Sequence, residues 1–147
     1  MSGYKSKTLA AWIALIGGGL GLHRFYLYGR RDVWGWLWWV PTLVGAYGVL
    51  RVLELGQDDQ LAWLLVPLLG FALAAAMLAA IVYGVTPDEK WNERFNPGGQ
   101  AHQSGWGVVF ALILSLLVGA TVLMSTIAFS GQRYFEYQVE EGRKISQ

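Results

Sequence analysis

His23 and Arg24 stand side by side just past a glycine-rich apolar run, Gly17-Gly18-Gly19-Leu20-Gly21-Leu22, and Arg30 and Arg31 come a few residues later. An imidazole exchanges a proton near neutral pH, and a guanidinium forks onto a carboxylate or a phosphate. Arg24, Arg30 and Arg31 therefore form a candidate contact for a phosphate or lipid headgroup. The plainer reading has Arg24 satisfying helix-end carbonyls or snorkelling to the interface, and His23 shaping the corner through interfacial hydrogen bonds. A second constellation is Lys7, Arg51 and Glu54. Arg51 and Glu54 lie three residues apart on one helix, where they can pair. Antiparallel threading of the first two helices brings Lys7 to the same end, so an ion pair there fixes helix register, or else Glu54 is a solvated acid near the headgroups.

Other polar groups point to structure more than to reaction. Asp58 and Asp59 suit an N-cap and first-turn acid better than a divalent-cation site, which needs more oxygen ligands than two adjacent carboxylates. Ser115, Thr121, Ser125 and Thr126 lie on one helix without a histidine, lysine or acid beside them, and back-bonding to helix carbonyls accounts for them. With two histidines and no cysteine, neither a metal nor a cofactor is assigned and catalytic residues are not expected. A net charge of +1 argues against nucleic acid as a partner.

These residues must be positioned by an apolar framework. Hydrophobic residues make up 54% of the 147-residue chain and charged ones 14%, and the apolar residues fall in blocks at residues 8–22, 33–53, 61–85 and 106–129. A helix crossing about 30 Å of hydrocarbon needs about 20 such residues. The expectation is an all-α integral membrane protein with four transmembrane helices and a short interfacial helix. Only the first block is short, about 22 Å of helix, so it must recruit flanking residues. A cleaved signal peptide is set aside because the glycines run directly into His23-Arg24-Phe25-Tyr26 without a small-x-small site.

Small residues recur at helical spacing at Ala10, Ala14, Gly17 or Gly18, and Gly21, a close-packing face whose expected partner is the second helix. Similar faces are Ala72, Ala76, Ala80 and Gly84 in the third helix and Ala111, Ser115 and Gly119 in the fourth. Trp34, Trp36, Trp38 and Trp39 read as an interfacial belt, and Pro41 should kink or loosen the second helix. Thr86-Pro87 should open an interfacial helix at 87–95, Ser104 should cap the last span, and the chain from Arg133 onward should become a short interfacial segment and a mobile tail. No internal repeat is apparent. The organisation is thus 5–56, then 57–131, then a polar tail at 132–147.

Lys7, the small-residue helix, the corner Gly21-x-His23-Arg24-Phe25-Tyr26-Leu27 and a second span ending in an acid resemble the two-transmembrane (TM-two) domain family. That pattern continues with glycine where Tyr28 stands here and has aspartate where Glu54 stands. The resemblance covers the first two spans and implies a multi-pass membrane protein of the bacterial inner membrane, no catalytic activity, and a cytoplasmic corner. The corner motif is Gly21, His23, Arg24, Phe25 and Tyr26. Four spans would put Lys5, Lys7, Arg51, Arg133, Arg143 and Lys144 on one side and Arg24, Arg30, Arg31, Lys90 and Arg94 on the other, a balance that leaves the positive-inside rule silent. The expected role is a membrane scaffold or interaction module whose partners are membrane lipids, another membrane protein or a second copy; the alternative is a small oligomeric transporter or channel.

Overall fold

The computed structural model describes residues 3–147, all helices and connections. Helices α1 (Lys7–Gly17), α2 (Leu22–Tyr28), α3 (Val33–Leu37), α4 (Trp39–Leu55), α5 (Gln60–Val85), α6 (Asp88–Phe95) and α7 (Trp106–Ile145) succeed one another, with one 3-10 turn at Gly18–Leu20. Three helical stretches are long and apolar enough to cross a membrane: Val33–Leu55, which is α3 and α4 in line, then α5, then α7. Pro41 explains the break within the first. It has no N–H to give the Leu37 carbonyl and its ring crowds that oxygen, and α3 ends at Leu37.

The first apolar block, Lys7–Leu20, is not among the helices long and apolar enough to cross. α1 starts beside the end of α5, where Lys7 Nζ donates to the Thr86 carbonyl at 2.8 Å, and its tip lies against the middle of α5, with Gly18 facing Ala76 and Gly19 facing Leu73. The chain then reverses at Gly21 and α2 returns: the Ser6 N–H donates to Tyr26 Oη at 2.8 Å and Lys5 Nζ to the Tyr26 carbonyl at 2.5 Å. Residues 8–22 are too few to cross alone without thinning the bilayer or recruiting flanking residues, and the other course open to the chain is to turn back. Here the glycines let it turn back.

This hairpin changes the ends of the molecule. The near end carries the N-terminal segment, the α2–α3 corner, α6 and the start of α7; the far end carries the α4–α5 corner and the projecting part of α7. Glu54 lies at the far end and is exposed, so the expected pairing of Lys7 with Glu54 is overturned. Lys7 pairs with Asp88 at 2.5 Å instead.

The bundle closes through small residues. Ala10, Ala11 and Ala14 of α1, Ala76 and Ala80 of α5, and Ala111 and Ser115 of α7 have no exposed surface. Between apolar helices in lipid, contact comes from close van der Waals packing, and small side chains allow it. The partners of α1 are thus α5 and α7, not the second span, which itself seats Gly45 and Gly48 on Leu69 and Leu65 of α5. α7, 40 residues and about 60 Å long, stays helical to Ile145, so the tail expected from Arg133 is a projecting helix. Its N-cap is Gly105, because Ser104 is drawn away to Asp88 through both its backbone N–H and its hydroxyl.

Candidate functional site

At the near end α6 is turned inward. Trp91, in the helix expected to be interfacial, is 1% exposed and donates its indole N–H to the Lys5 carbonyl at 2.9 Å. Asn96 clasps the same residue from both sides, accepting from Lys5 N–H at 2.7 Å and donating to its carbonyl at 3.0 Å. Tyr4 Oη and His102 Nδ1 are 2.8 Å apart. Burial pushes His102 below its ordinary value. Asp88 answers the almost fully buried Lys7; burial pushes its carboxyl up, but the bonds from Lys7 and Ser104 outweigh that and hold it down at about 2.

The corner motif turns around Gly21, whose φ of +67° is the left-handed region glycine favours. A Cβ there would meet the Gly35 carbonyl oxygen at 2.7 Å. His23 is enclosed by protein: it is 1% exposed, its ring lies edge-on to Trp38 at 5.4 Å and tilted against Tyr83 at 5.8 Å, and Nδ1 has no partner. Phe25 packs on Gly35 and Trp36, and Tyr26 takes the two bonds from the N-terminal segment. Arg24 is committed to Asp32 by a fork of 2.6 and 3.2 Å and lies over the Tyr28 ring at 4.9 Å. Asp32 also caps α3 through Gly35 N–H at 2.9 Å, and Arg24 holds its carboxyl below the ordinary range. Arg24 is therefore a structural residue of the turn, and the structure separates it from Arg30 and Arg31, which are exposed and have no ion-pair partner among the described residues.

The same corner recurs at the far end. Arg51 forks onto Asp59 at 2.6 and 2.9 Å, Asp59 caps α5 through Ala62 N–H at 3.2 Å, and the Trp63 indole donates to the Gln57 carbonyl at 2.7 Å. In the first corner the Trp36 indole donates to the Arg30 carbonyl at 2.8 Å. Gly29 and Gly56, which end the preceding helices, adopt φ of +86° and +90°, and each N–H donates four residues back, to Phe25 and Val52. The sequence pattern is Arg-x4-Gly-x2-Asp-x3-Trp, at Arg24, Gly29, Asp32, Trp36 and again at Arg51, Gly56, Asp59, Trp63. It does not stand out as a repeat because only those four positions are held in common and everything between them serves a different helix face. It also redirects Arg51, which pairs with Asp59 and not with Glu54.

Elsewhere the hydroxyls behave structurally. Thr121 and Thr126 donate to carbonyls four residues back, at 2.9 and 2.7 Å, and Ser115 is enclosed without a partner. Among the described residues no three His, Asp or Glu side chains gather as a metal site would require. Fold and site together define a multi-pass, all-α chain with three candidate spans. Comparison with protein-family models, curated proteins and solved structures gives no match for this chain.

Proposed function

We propose that this chain is a non-enzymatic multi-pass membrane scaffold or interaction module, belonging with the two-transmembrane domain proteins that its corner resembles, and using the near-end corner to contact lipid headgroups or a partner membrane protein. The supporting observation is the placement of charge. α5 contains no Asp, Glu, Lys, Arg or His, α7 has none before Arg133, and the charged side chains collect at the two ends, several of them in fixed pairs. A path for ions or polar solutes needs polar groups at depth, as does intramembrane hydrolysis. The scaffold sits in the cell membrane with its near end in the cytoplasm.

A second reading, a small oligomeric transporter or channel, is favoured by one feature. The backbone is broken at mid-depth between Gly17 and Gly21, and interrupted helices of this kind build substrate sites in transporters. The two readings separate in proteoliposomes and in cells. Photo-crosslinking from position 31 in native membrane should give a discrete adduct that disappears from position 53, on a lipid-facing side. Solute flux abolished by filling Gly18 or Gly19 would establish transport instead.

A further inference from the structure

We propose that Arg30 and Arg31, together with the apolar groove beneath them, bind one anionic phospholipid at the near end. This deepens the scaffold reading and rests on the chain being in a membrane. The duplicated corner supplies the argument, since the loop positions between the fixed glycine and aspartate are guests on one backbone. In the near corner the guests are Arg30 and Arg31; in the far corner they are Gln57 and Asp58. The far corner's guest is already occupied: Arg133 of α7 donates to Gln57 Oε1 at 3.1 Å and lies over the Trp63 ring at 5.5 Å. The near corner projects two guanidiniums that nothing in the described chain answers, beside the exposed indoles of Trp34 and Trp36.

Their counterpart is an anion held at the level of the aromatic belt, which in a membrane is a phosphate on a lipid. Directly after this loop, Trp34, Leu37 and Trp38 form one wall of a groove of about 350 Å³ whose other wall is Phe71 and Ala75 of α5. Phe71 and Ala75 are also shared with a second groove between α5 and α7, of about 450 Å³. The two grooves flank one ridge of α5, and a diacyl phospholipid has two chains to lay beside it. Cationic loop above and paired apolar troughs below fit that occupant as a unit. A soluble phosphate would use only the loop.

The test uses the full chain in detergent micelles, with native mass spectrometry and thermal unfolding read during titration of phosphatidylglycerol or phosphatidylcholine. Wild-type protein should retain one phosphatidylglycerol and bind it about tenfold more tightly than phosphatidylcholine. Arg30→Gln with Arg31→Asp copies the far corner's guests onto the near loop, so the fold is kept and the preference should vanish. Ala75→Trp, at an exposed position that fills the trough, should weaken both lipids. Equal affinity for the two lipids, or an unchanged preference in the loop variant, overturns the proposal while leaving the membrane scaffold standing. Stabilisation by glycerol phosphate as great as by phosphatidylglycerol overturns it in favour of a soluble anion. Recovery of the chain outside the membrane fraction overturns the scaffold reading itself.

Discussion

Gly21 reverses the chain at the tip of the first hairpin, and two separate constraints act on its α-carbon. The backbone is left-handed, and a Cβ would press on the Gly35 carbonyl oxygen. The left-handed backbone alone costs a non-glycine residue about 1–2 kcal/mol, and the contact adds to it, so Gly21→Ala should lower the unfolding midpoint clearly in detergent whereas Gly131→Ala, in open space on α7, should not. Asp32 invites a graded comparison. Asp32→Asn keeps a side chain able to cap α3 but loses the fork from Arg24, and Asp32→Ala loses the cap as well, about 1 kcal/mol more; the same ranking should hold for Asp59. Equal effects of Asn and Ala would mean that the cap contributes nothing. Asp88 gives the acid response. Its folded value, about 2, lies below the ordinary 3.8, so its contribution is complete above pH 3.8 and is lost as pH falls toward 2. Unfolding midpoints of the wild type should therefore drop over that window, and Asp88→Asn should begin lower at neutral pH and fall less.

The helices themselves show how far residue type and spacing can carry. Length and apolar content mark three spans at their places, and the small-residue faces at Ala72, Ala76, Ala80 and Ala111 are buried where helical spacing puts them. The first helix departs from expectation because composition cannot distinguish an apolar segment that crosses from one that turns back; the difference lies in where Lys7 and Tyr26 find partners, and both partners are distant in sequence. The site was legible in the same partial way. Gly21 to Tyr26 form a corner, but Arg24's partner is Asp32, outside the motif, and the pairing of Lys7 with Glu54 needs a first helix that starts at the far end, whereas Lys7 sits on Asp88. The aligned Arg-to-Asp spacing of eight residues at both corners was the available signal. The two possible partners of Lys7 differ in a measurable way. Glu54→Lys, exposed and unpaired at the far end, should change stability by no more than about 0.5 kcal/mol. Asp88→Asn leaves the buried Lys7 ammonium without its counter-charge and should cost several times as much, about 3 kcal/mol, measured as loss of folded protein on detergent extraction.

Across the whole molecule, three candidate spans and a returning hairpin make the number of crossings odd where four spans would make it even, and that redistributes charge. Lys5, Lys7, Arg24, Arg30, Arg31, Lys90 and Arg94 now share the near end, against Arg51, Arg133, Arg143 and Lys144 at the far end. A rule that was silent for four crossings therefore speaks: basic residues flanking spans tend to be retained in the cytoplasm, which predicts, in keeping with the proposed orientation, a near end inside and an α7 that runs outward. The duplicated corner predicts the same sense, since its near copy displays Arg30-Arg31 and its far copy displays Gln57-Asp58 on the same backbone. The chain has no cysteine, so single cysteines report topology without background. Introduced at exposed positions 3, 31, 99, 58 and 140, they should divide into two groups. Positions 3, 31 and 99 should react with a membrane-impermeant maleimide only after the cells are opened, and positions 58 and 140 should react in intact cells. Position 3 is the decisive one: labelling there together with 58 and 140 would restore the four-span path, since only a fully crossing first helix separates the N-terminus from the near corner while keeping 31 and 99 on one side. Exchanging the guests of the two corners, Arg30-Arg31 for Gln57-Asp58, should then drive part of the population into the inverted orientation, because the corners keep their matching Arg–Asp forks while the near end gives up its excess of basic residues to the far end.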